Sequence, residues 1–405
     1  MLKKMFPDFG VKNIRLYYLL AIFLNGWFIL PNWVFYFLKY LSISQISLID
    51  GIAISIGLLM EVPSGALSDL LGKKKMMIFS SLIIAIACFL YLFCKSFGMF
   101  LVVDILIFIG FSFQSGTREA FAYDSLAEYK KESFYSVVAS KFTSISIVMS
   151  TISFFIGGLL YRFDSRLPFV AWLIFLIISV GIMLQSKEPK VDTNKMSLKN
   201  YLNQMKDGFL AIFNKKLFIY IITILGVAIF VKLYQGVVRQ SLAGYFGFTG
   251  ETFGYLLGLV AIPAAYLSFH LDFLIEKIGS KKLLLIVAFF YSLAFFIGFS
   301  SRSLYTGIIL FFIINMMEKI GEPLVSVLVN ERIDSKHRAT ALSVIALISQ
   351  IPYVVILLWF SFMMEVKNLS SLQLIYAGFM GCIFIYSLFL FTYKFFNGAK
   401  NRIKN

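Results

Sequence analysis

Residues 76–95 read MMIFSSLIIAIACFLYLFCK, a run of 20 residues whose only charge, Lys95, stands at its end. As an α-helix this run would be about 30 Å long, which matches the hydrocarbon core of a bilayer. Apolar runs of roughly 18–25 residues, the length that spans a membrane, recur along the whole chain of 405 residues. Their length predicts transmembrane helices rather than the shorter helices of a soluble core.

The composition supports the same interpretation. Apolar residues make up 60% of the chain and charged residues only 14%, and the mean hydropathy is +0.85. A soluble domain is about half apolar and about one quarter charged, so this chain has too few charges for a water-facing surface. Segments of about ten residues that alternate between polar and apolar are not seen, which excludes a membrane β-barrel. The sequence therefore predicts an all-α integral membrane protein.

The sequence contains twelve predicted spans, whose ends are defined to about 2–4 residues. They cover residues 14–39, 44–69, 76–95, 98–124, 134–161, 168–185, 216–242, 250–275, 282–300, 304–330, 338–363 and 371–394. Of the 37 Lys and Arg residues, 26 fall on the side of the N-terminus, six on the other side and five within spans. This bias predicts that both termini are cytoplasmic, and it accounts for the net charge of +16 without nucleic-acid binding.

The longest polar stretch, residues 186–215, divides the spans six and six. The predicted domains are an N-terminal six-helix bundle over 1–185, a cytoplasmic linker over 186–215, and a C-terminal six-helix bundle over 216–405. The linker carries residues with apolar side chains at helical spacing, which are Leu198, Tyr201, Leu202, Met205, Phe209 and Ile212. This spacing favours an amphipathic helix on the membrane surface, with an ordinary solvated linker as the alternative.

The turns that follow spans 2 and 8 repeat one another. The same residue types recur 207 residues apart, as Asp69 and Glu276, Gly72 and Gly279, and Lys74 and Lys281. Six spans plus six spans with an internal repeat is typical of transporters built from two related halves.

The turn after span 2 reads GALSDLLGKKK over residues 65–75. Gly65 allows two helices to approach closely, and Gly72 permits a sharp turn. Asp69 is suited to cap a neighbouring helix or to pair with a basic residue. Lys73 and Lys74 are suited to anchor the turn at lipid headgroups. A generic turn on the positively charged side of the membrane is the alternative interpretation.

This turn resembles the loop 2–3 signature of the major facilitator superfamily, G-x-L-x-D-x-x-G-R-K. Leu70 replaces the usual basic residue after the Asp, and Lys73 replaces the Arg. The resemblance implies twelve spans in two six-helix bundles, with this turn acting as a latch that holds the outward-facing state.

Two further stretches resemble a bacterial branch of the superfamily whose members are mostly assigned as exporters of drugs or small molecules. They read EVPSG over residues 61–65 and SGTREAFAYDS over residues 115–125. Glu119 and Asp124 in the second stretch lie toward the cytoplasmic end of span 4 and are assigned to the latch. Span 5 ends in Gly157-Gly158 but lacks the G-x-x-x-G-P run of drug–proton antiporters.

Polar residues form a stripe at helical spacing on each of spans 1, 4, 7 and 10, which line the central cavity in the superfamily. An ionisable group at the bilayer centre costs roughly 2.5–3.5 kcal/mol, so such groups usually face the protein interior or a wet cavity. The predicted substrate and coupling residues are Asn25, Asn32, Gln114, Arg118, Lys232, Gln235, Asn315, Glu318 and Glu322. Asp104 and Arg239 extend two stripes, with a position at the outer interface as their alternative. For Arg118, a structural charge network with the latch residues is the alternative.

Glu318 and Glu322 lie one helical turn apart in span 10. Two close carboxylates raise each other's proton affinity, which suits a proton-coupling site. Recognition of a charged substrate and structural pairing with Lys232 or Lys319 are the other interpretations, and the sequence leaves all three open.

The sequence therefore predicts a secondary active transporter that works by alternating access and exports a small amphiphilic molecule, with proton coupling open. Uptake of a nutrient, sugar or peptide is the alternative, and a membrane-embedded enzyme acting on lipid-linked substrates is more remote. No catalytic group, metal or cofactor is predicted, because the two histidines, His270 and His337, lie far apart and the cysteines lack metal-binding spacing. The expected partners are the substrate, protons and the lipid bilayer, with the chain a monomer in a bacterial cytoplasmic membrane.

Overall fold

A computed structural model describes residues 10–189, 206, 210, 215–330, 345, 347–355, 357–358 and 369–403. The side chains of some helical residues, including Asp69 and Glu322, lie outside this description. Most of the predicted linker helix and much of the predicted span over 338–363 also lie outside the described residues. Throughout the described ranges the regular elements are helical.

The α-helices are numbered along the chain. They are α1 (Lys12–Phe23), α2 (Trp33–Phe37), α3 (Ile43–Leu71), α4 (Lys73–Tyr91), α5 (Phe97–Gln114), α6 (Thr117–Ala127), α7 (Tyr135–Phe163), α8 (Leu167–Leu184), α9 (Lys215–Tyr234), α10 (Val237–Tyr245), α11 (Gly250–Phe269), α12 (Leu271–Ile278), α13 (Ser280–Ser300), α14 (Leu304–Asn330) and α15 (Leu369–Ile403). The chain divides into two compact units, Met1–Tyr201 with Thr249–Leu259 and Leu202–Phe248 with Val260–Asn405.

Local sequence signals set the ends of several helices. Ser42 and Gln45 form a capping box at the start of α3, in which the Ser42 hydroxyl accepts from the Gln45 amide and the Gln45 side chain accepts from the Ser42 amide. Gly72 ends α3 and begins α4 with φ +96°, and Gly279 joins α12 to α13 with φ +90°. Only glycine adopts this backbone conformation without strain. The predicted repeat of the two turns is therefore present in the backbone.

Three of the four spans that carry the polar stripes are broken. Span 1 is interrupted between α1 and α2, and span 4 between α5 and α6 at Gly116, whose φ is +71°. Span 7 is interrupted between α9 and α10 at Gly236, whose φ is +70°, and the two helices are bent by 64°. Irregular backbone inside a membrane is tolerated only where protein buries it or where it lines a wet cavity. The breaks therefore mark where the candidate site should be sought.

The helix surfaces are suited to lipid. One face of α4 exposes Leu82, Ile86 and Phe89, each by 39–54%. An apolar stripe of this kind would be unfavourable in water but fits the hydrocarbon of a bilayer. In the described residues eight helices are long and apolar enough to cross a membrane, and the bent pair α9–α10 would make a ninth.

Each unit has its own aromatic core. In the first unit the ring centroids lie 4.4–6.3 Å apart among Tyr36, Phe37, Tyr91, Phe100 and Phe169. In the second unit they lie 4.5–5.7 Å apart among Phe230, Tyr291, Phe295 and Tyr376. These clusters hold α2, α4, α5 and α8 together in one unit and α9, α13 and α15 in the other.

The first half of α11 belongs to the first unit and packs on α7 through glycines. A Cβ atom built on Gly254 would lie 2.6 Å from the Cα of Gly158, and one built on Gly258 would lie 3.0 Å from the Cβ of Phe155. The two backbones approach so closely because both helices present small residues at the contact.

Candidate functional site

The break in span 7 supplies the framework of the candidate site. Gly236 is the N-cap residue of α10, with φ +70° and ψ −134°, and no side chain in the described ranges caps this helix. The first amide groups of a helix have no partners within the helix, and they form the positive end of its dipole. The break therefore presents hydrogen-bond donors inside a membrane-spanning segment.

Gln235 connects the break to α14. Its Nε2 atom donates to Oε1 of Glu318 at 3.0 Å, and its backbone oxygen accepts from Oη of Tyr353 at 3.4 Å. Glu318 is 7% exposed, and its second oxygen, Oε2, has no hydrogen-bond partner among the described residues. Gln235 thus satisfies one carboxylate oxygen of Glu318, and the other oxygen accepts from no donor among the described residues.

Arg239 and Tyr234 lie on either side of the break. Arg239 is 7% exposed, and its Nε atom is buried without a hydrogen-bond partner in the described part of the chain. The same holds for Oη of Tyr234, a residue that interacts electrostatically with both Arg239 and Glu318. Burying polar groups without partners is costly, and a native protein rarely leaves several together. This cluster is therefore incomplete as it stands.

The structure brings together only some of the predicted residues of spans 7 and 10. Gln235 and Glu318 meet, whereas Nδ2 of Asn315 donates to the Phe311 carbonyl of its own helix at 2.7 Å. Lys232 is half-buried near the end of α9, and the side chain of Glu322 lies outside the described residues. The proposed pairing of Glu318 with Glu322 stays a prediction.

The two asparagines of span 1 bind the neighbouring helix α7. Nδ2 of Asn25 donates to Oγ of Ser146 at 2.9 Å, and Nδ2 of Asn32 donates to the Gly157 carbonyl at 3.0 Å. The helices are close at this point, since a Cβ on Gly157 would lie 2.0 Å from the Phe28 oxygen. These predicted cavity residues therefore fasten the break of span 1 to α7.

Span 4 shows a similar internal arrangement. Gln114 is the half-buried last residue of α5. Nε of Arg118 donates to Oε1 of Glu119 at 3.0 Å, and the guanidinium lies 4.8 Å from the ring centroid of Phe142. Arg118 is thus neutralised by its neighbour in sequence and stacks on α7.

Asp104 and Arg239 are both buried inside the protein, at 6% and 7% exposure. Oη of Tyr91 donates to Oδ1 of Asp104, and Oη of Tyr36 donates to the Tyr91 carbonyl at 2.9 Å. Tyr91 thus links Asp104 to the aromatic core of the first unit. The position of Asp104 and Arg239 relative to the outer interface stays a prediction.

The turn after span 2 is closed by Glu188. Its two carboxylate oxygens accept from the backbone amides of Lys73 and Lys74 at 2.6 and 2.9 Å. A carboxylate in this position caps the first turn of α4 and complements the helix dipole. Nζ of Lys74 donates to the carbonyls of Leu184 and Ser186, which ties α8 to the same turn. Glu188 thus caps α4, and the role suggested for Asp69 stays a prediction.

A second set of contacts links this turn to α6 and α1. Nζ of Lys73 forms a buried ion pair with Asp124. Nδ2 of Asn13 donates to Oγ of Ser125 at 3.0 Å and to the Lys187 carbonyl at 2.9 Å. The structure thus brings the predicted latch residues Gly72, Lys73, Lys74 and Asp124 together, whereas Glu119 pairs with Arg118. Gly65 is half-buried in α3, and the side chain of Asp69 lies outside the described residues.

The sequence matches the Major Facilitator Superfamily over residues 17–238 and again over residues 228–403. The chain belongs to the major facilitator superfamily. The two matches overlap at residues 228–238 and together cover most of the chain. A comparison with curated protein sequences finds no significant match.

Solved structures of superfamily transporters share this fold. The nucleoside transporter NupG superposes with a TM-score of 0.71 at 15% identity, over 95% of this chain and 99% of that one. A D-xylose–proton symporter gives 0.64 at 16% identity over 94% and 95%, and a POT peptide transporter gives 0.66 at 12% identity over 94% and 93%. The predicted fold class is confirmed: an all-α membrane protein of this superfamily, with twelve spans in two six-helix halves. Such low identities show the fold alone.

In this superfamily transporter, three residues at the described sites were not among the site residues predicted from the sequence. Tyr234 and Arg239 belong to the incomplete cluster at the break, and Glu188 caps α4. The stripe on span 7 contained Arg239, but its burial depends on a bend that residue spacing does not reveal. Glu188 is the first acidic residue after span 6, and no motif marks it.

Proposed function

We propose that this transporter moves a small organic molecule by alternating access, with a substrate site at the break of span 7. The observation that supports the proposal is the incomplete cluster, in which Oε2 of Glu318 and Nε of Arg239 are buried without partners in the described residues. A transported molecule that supplies the missing partners would be bound strongly enough to enter and would leave when the cluster is hydrated. Lys232 and Asn315, the other stripe residues of the same unit, are proposed to support this site.

Glu318 is proposed as the coupling carboxylate. Gln235 donates to one of its oxygens, and the second oxygen is available for either a proton or a substrate donor. A proton on Oε2 removes a buried negative charge, and release of that proton frees the oxygen for substrate. Competition between proton and substrate for one oxygen is a simple physical basis for proton-coupled transport.

The proposed direction is export of a small amphiphilic molecule. It rests on the resemblance of residues 61–65 and 115–125 to bacterial exporters, and the distribution of Lys and Arg supports cytoplasmic termini in the inner membrane. The chain is proposed to act as a monomer.

Uptake of a polar nutrient is the second candidate function. The buried hydrogen-bonding groups at the break favour it, because a polar solute satisfies them more completely than an amphiphilic one. The structural neighbours that transport nucleosides, D-xylose and peptides show that the fold supports such substrates.

The decisive experiment measures flux in vesicles of both orientations. Inverted vesicles and right-side-out vesicles containing the protein would be given uridine, D-xylose or norfloxacin, an amphiphilic molecule that carries both a carboxylate and an amine, under an imposed pH gradient. Export predicts that norfloxacin accumulates in the inverted vesicles and that its accumulation depends on the gradient. Accumulation of uridine or D-xylose in the right-side-out vesicles would instead establish uptake.

The role of Glu318 is tested in the same vesicles. Glu318→Gln is expected to abolish gradient-driven accumulation, while a slower exchange of substrate remains at equal pH because the variant binds substrate more weakly. Glu132→Gln, at an exposed position, is the matched control and should behave as the wild type. Gradient-driven accumulation by Glu318→Gln at the wild-type rate would rule out the coupling role.

A further inference from the structure

The break in span 7 has a chemical polarity that points to a class of substrate. At one end, α10 begins at Gly236 with its first amide groups outside the helical hydrogen-bond ladder. Such a helix end attracts negative charge, and a half-helix that begins inside a transporter commonly directs this end at an anionic substrate group. By itself a helix end of this kind does not define a site.

Arg239 provides the independent observation. It lies in the first turn of α10, more than nine-tenths buried, and its Nε atom has no acceptor among the described residues. The ion pairs found in the described ranges include neither Arg239 nor Glu318. A buried guanidinium with an unfilled donor is unfavourable, and a group from outside the described residues would complete it. An anion is the group that fits both Arg239 and the start of α10.

Glu318 requires a hydrogen-bond donor, whereas Arg239 requires an acceptor. Gln235, at the break itself, occupies Oε1, and Oε2 is buried without a donor within the described residues. A protonated amine would donate to Oε2 and neutralise the carboxylate. Oη of Tyr234, which also lacks a partner there, interacts electrostatically with both charged residues and lies next to Gln235 in the chain.

The surroundings of these groups are apolar. Val231, Tyr234, Val237 and Val238 flank the break, and each is at most 4% exposed. Water therefore contributes little screening, and each charge of a ligand needs a partner from the protein. The same apolar surroundings favour a ligand whose body is aromatic or aliphatic.

Resting on the proposed transport function, we infer that the break of span 7 binds an amphiphilic zwitterion. The carboxylate or other anion of the ligand is bound by Arg239 and the first amides of α10, and its protonated amine is bound by Glu318. A purely anionic ligand would leave Oε2 of Glu318 without a donor, and a purely cationic ligand would leave Arg239 without an acceptor. A zwitterion satisfies both groups at once and adds no net charge to the membrane interior.

Binding to the purified full chain in detergent tests this inference through a charge series on one scaffold. The indole series consists of L-tryptophan, tryptamine, indole-3-propionate and 3-methylindole, which are zwitterionic, cationic, anionic and neutral. The phenyl series of L-phenylalanine, phenethylamine and 3-phenylpropionate repeats the comparison. The measurement is the rise of the unfolding temperature with ligand concentration, and the zwitterion is expected to bind at least tenfold more tightly than the other members.

Two substitutions separate the two charges. Arg239→Gln is expected to weaken the zwitterion at least tenfold and to leave the amine-only ligand unchanged, whereas Glu318→Gln should weaken the zwitterion and leave the anion-only ligand unchanged. Arg162→Gln and Glu132→Gln, at exposed positions, are the matched controls. This crossed pattern is what a merely structural role would not produce.

Several results would overturn the inference. Equal or tighter binding of the cation, anion or neutral member would exclude the zwitterion class, and so would the absence of zwitterion binding in both series. If a variant does not fold, the wild-type charge series still decides. The outcome is also separable from the proposed function: a zwitterion that binds with the crossed pattern but is never transported would contradict transport at this site, not the assignment of the ligand.

Discussion

Spans 1 and 7 occupy the same place in the two halves of the chain, and both are broken. Asn25 and Asn32 of span 1 stand 207 residues before Lys232 and Arg239, the interval that also separates the two glycine turns. In span 1 the polar side chains donate to groups on α7 at 2.9 and 3.0 Å. In span 7, Nε of Arg239 has no such partner among the described residues.

This difference separates a polar group that holds the fold from one that is available to a ligand. Both breaks expose backbone and polar side chains inside a membrane, where these groups require hydrogen-bond partners. In the first half, Nδ2 of both asparagines has a partner on α7, although Oδ1 of Asn32 has none among the described residues. In the second half, the charged groups of Arg239 and Glu318 each keep an atom without a partner in the described part of the chain, and such departures are expected to concentrate at functional sites. The first half should therefore lose stability when its polar groups are changed, and the second should lose ligand binding.

The largest effect on stability is expected at the buried ion pair of Lys73 and Asp124. Asp124→Asn would leave the Lys73 ammonium buried without its counter-charge, at a cost of about 3–5 kcal/mol. Thermal unfolding of the purified protein measures this loss. Asp272→Asn, at an exposed position of α12, is the control and should change stability little. An unfolding temperature for Asp124→Asn equal to that of the control would show that the pair is not structural.

The two glycine turns offer a smaller and better-matched contrast. Gly72 and Gly279 have nearly the same φ, so an alanine at either position is strained by about 1–3 kcal/mol. They differ in surroundings: a Cβ on Gly72 would lie 2.7 Å from the carboxylate carbon of Glu188, whereas a Cβ on Gly279 would meet nothing within 4 Å. Gly72→Ala should therefore displace the Glu188 cap and lower stability by about 1 kcal/mol more than Gly279→Ala.

A double-variant comparison checks the reason for that difference. Once Glu188→Ala has removed the cap, the two alanine substitutions should become equally costly. If Gly72→Ala stayed the more destabilising by the same amount in that background, the contact with Glu188 would not be the cause.

The extent to which these features follow from sequence depends on the range of the interactions. Run length predicts the spans, because it is set by the thickness of the bilayer, and the repeated Asp/Glu, Gly and Lys pattern predicts the turns at Gly72 and Gly279. Helical spacing on spans 7 and 10 also selected Gln235 and Glu318, which do meet.

Other features depend on the three-dimensional positions of the helices, which the spacing of residues along the chain does not specify. A face calculated for a continuous helix no longer applies beyond a break, which is why Asn32 is bound to α7 and Arg239 is buried. Glu188 caps a helix that begins 115 residues earlier in the chain. No local pattern encodes a contact of that range.

Asn32 provides an intermediate test of the comparison. It is fully buried, and Asn32→Ala removes the hydrogen bond to the Gly157 carbonyl, which would leave that acceptor without its donor. The expected loss of stability is about 1–3 kcal/mol, measured by thermal unfolding without ligand. Thr143→Ala, on an exposed position of α7 that bonds only its own helix, is the control. If Asn32→Ala lost no more stability than the control, Asn32 would not hold the fold at the break of span 1. The contrast between the two breaks would then fail.

The smallest effect on stability is expected at Glu318 and Arg239. Glu318→Gln removes a buried charge whose Oε2 atom has no partner among the described residues, and Arg239→Gln removes one whose Nε atom has none there. Since each change removes a desolvated charge rather than a completed contact, the unfolding temperature without ligand should stay within the equivalent of about 1 kcal/mol of wild type or rise. The same variants should lose the ligand-induced rise that the wild type shows. A loss of ligand-free stability as large as that of Asn32→Ala would mean that Arg239 and Glu318 are already satisfied in the folded protein, and the contrast between the two breaks would then no longer hold.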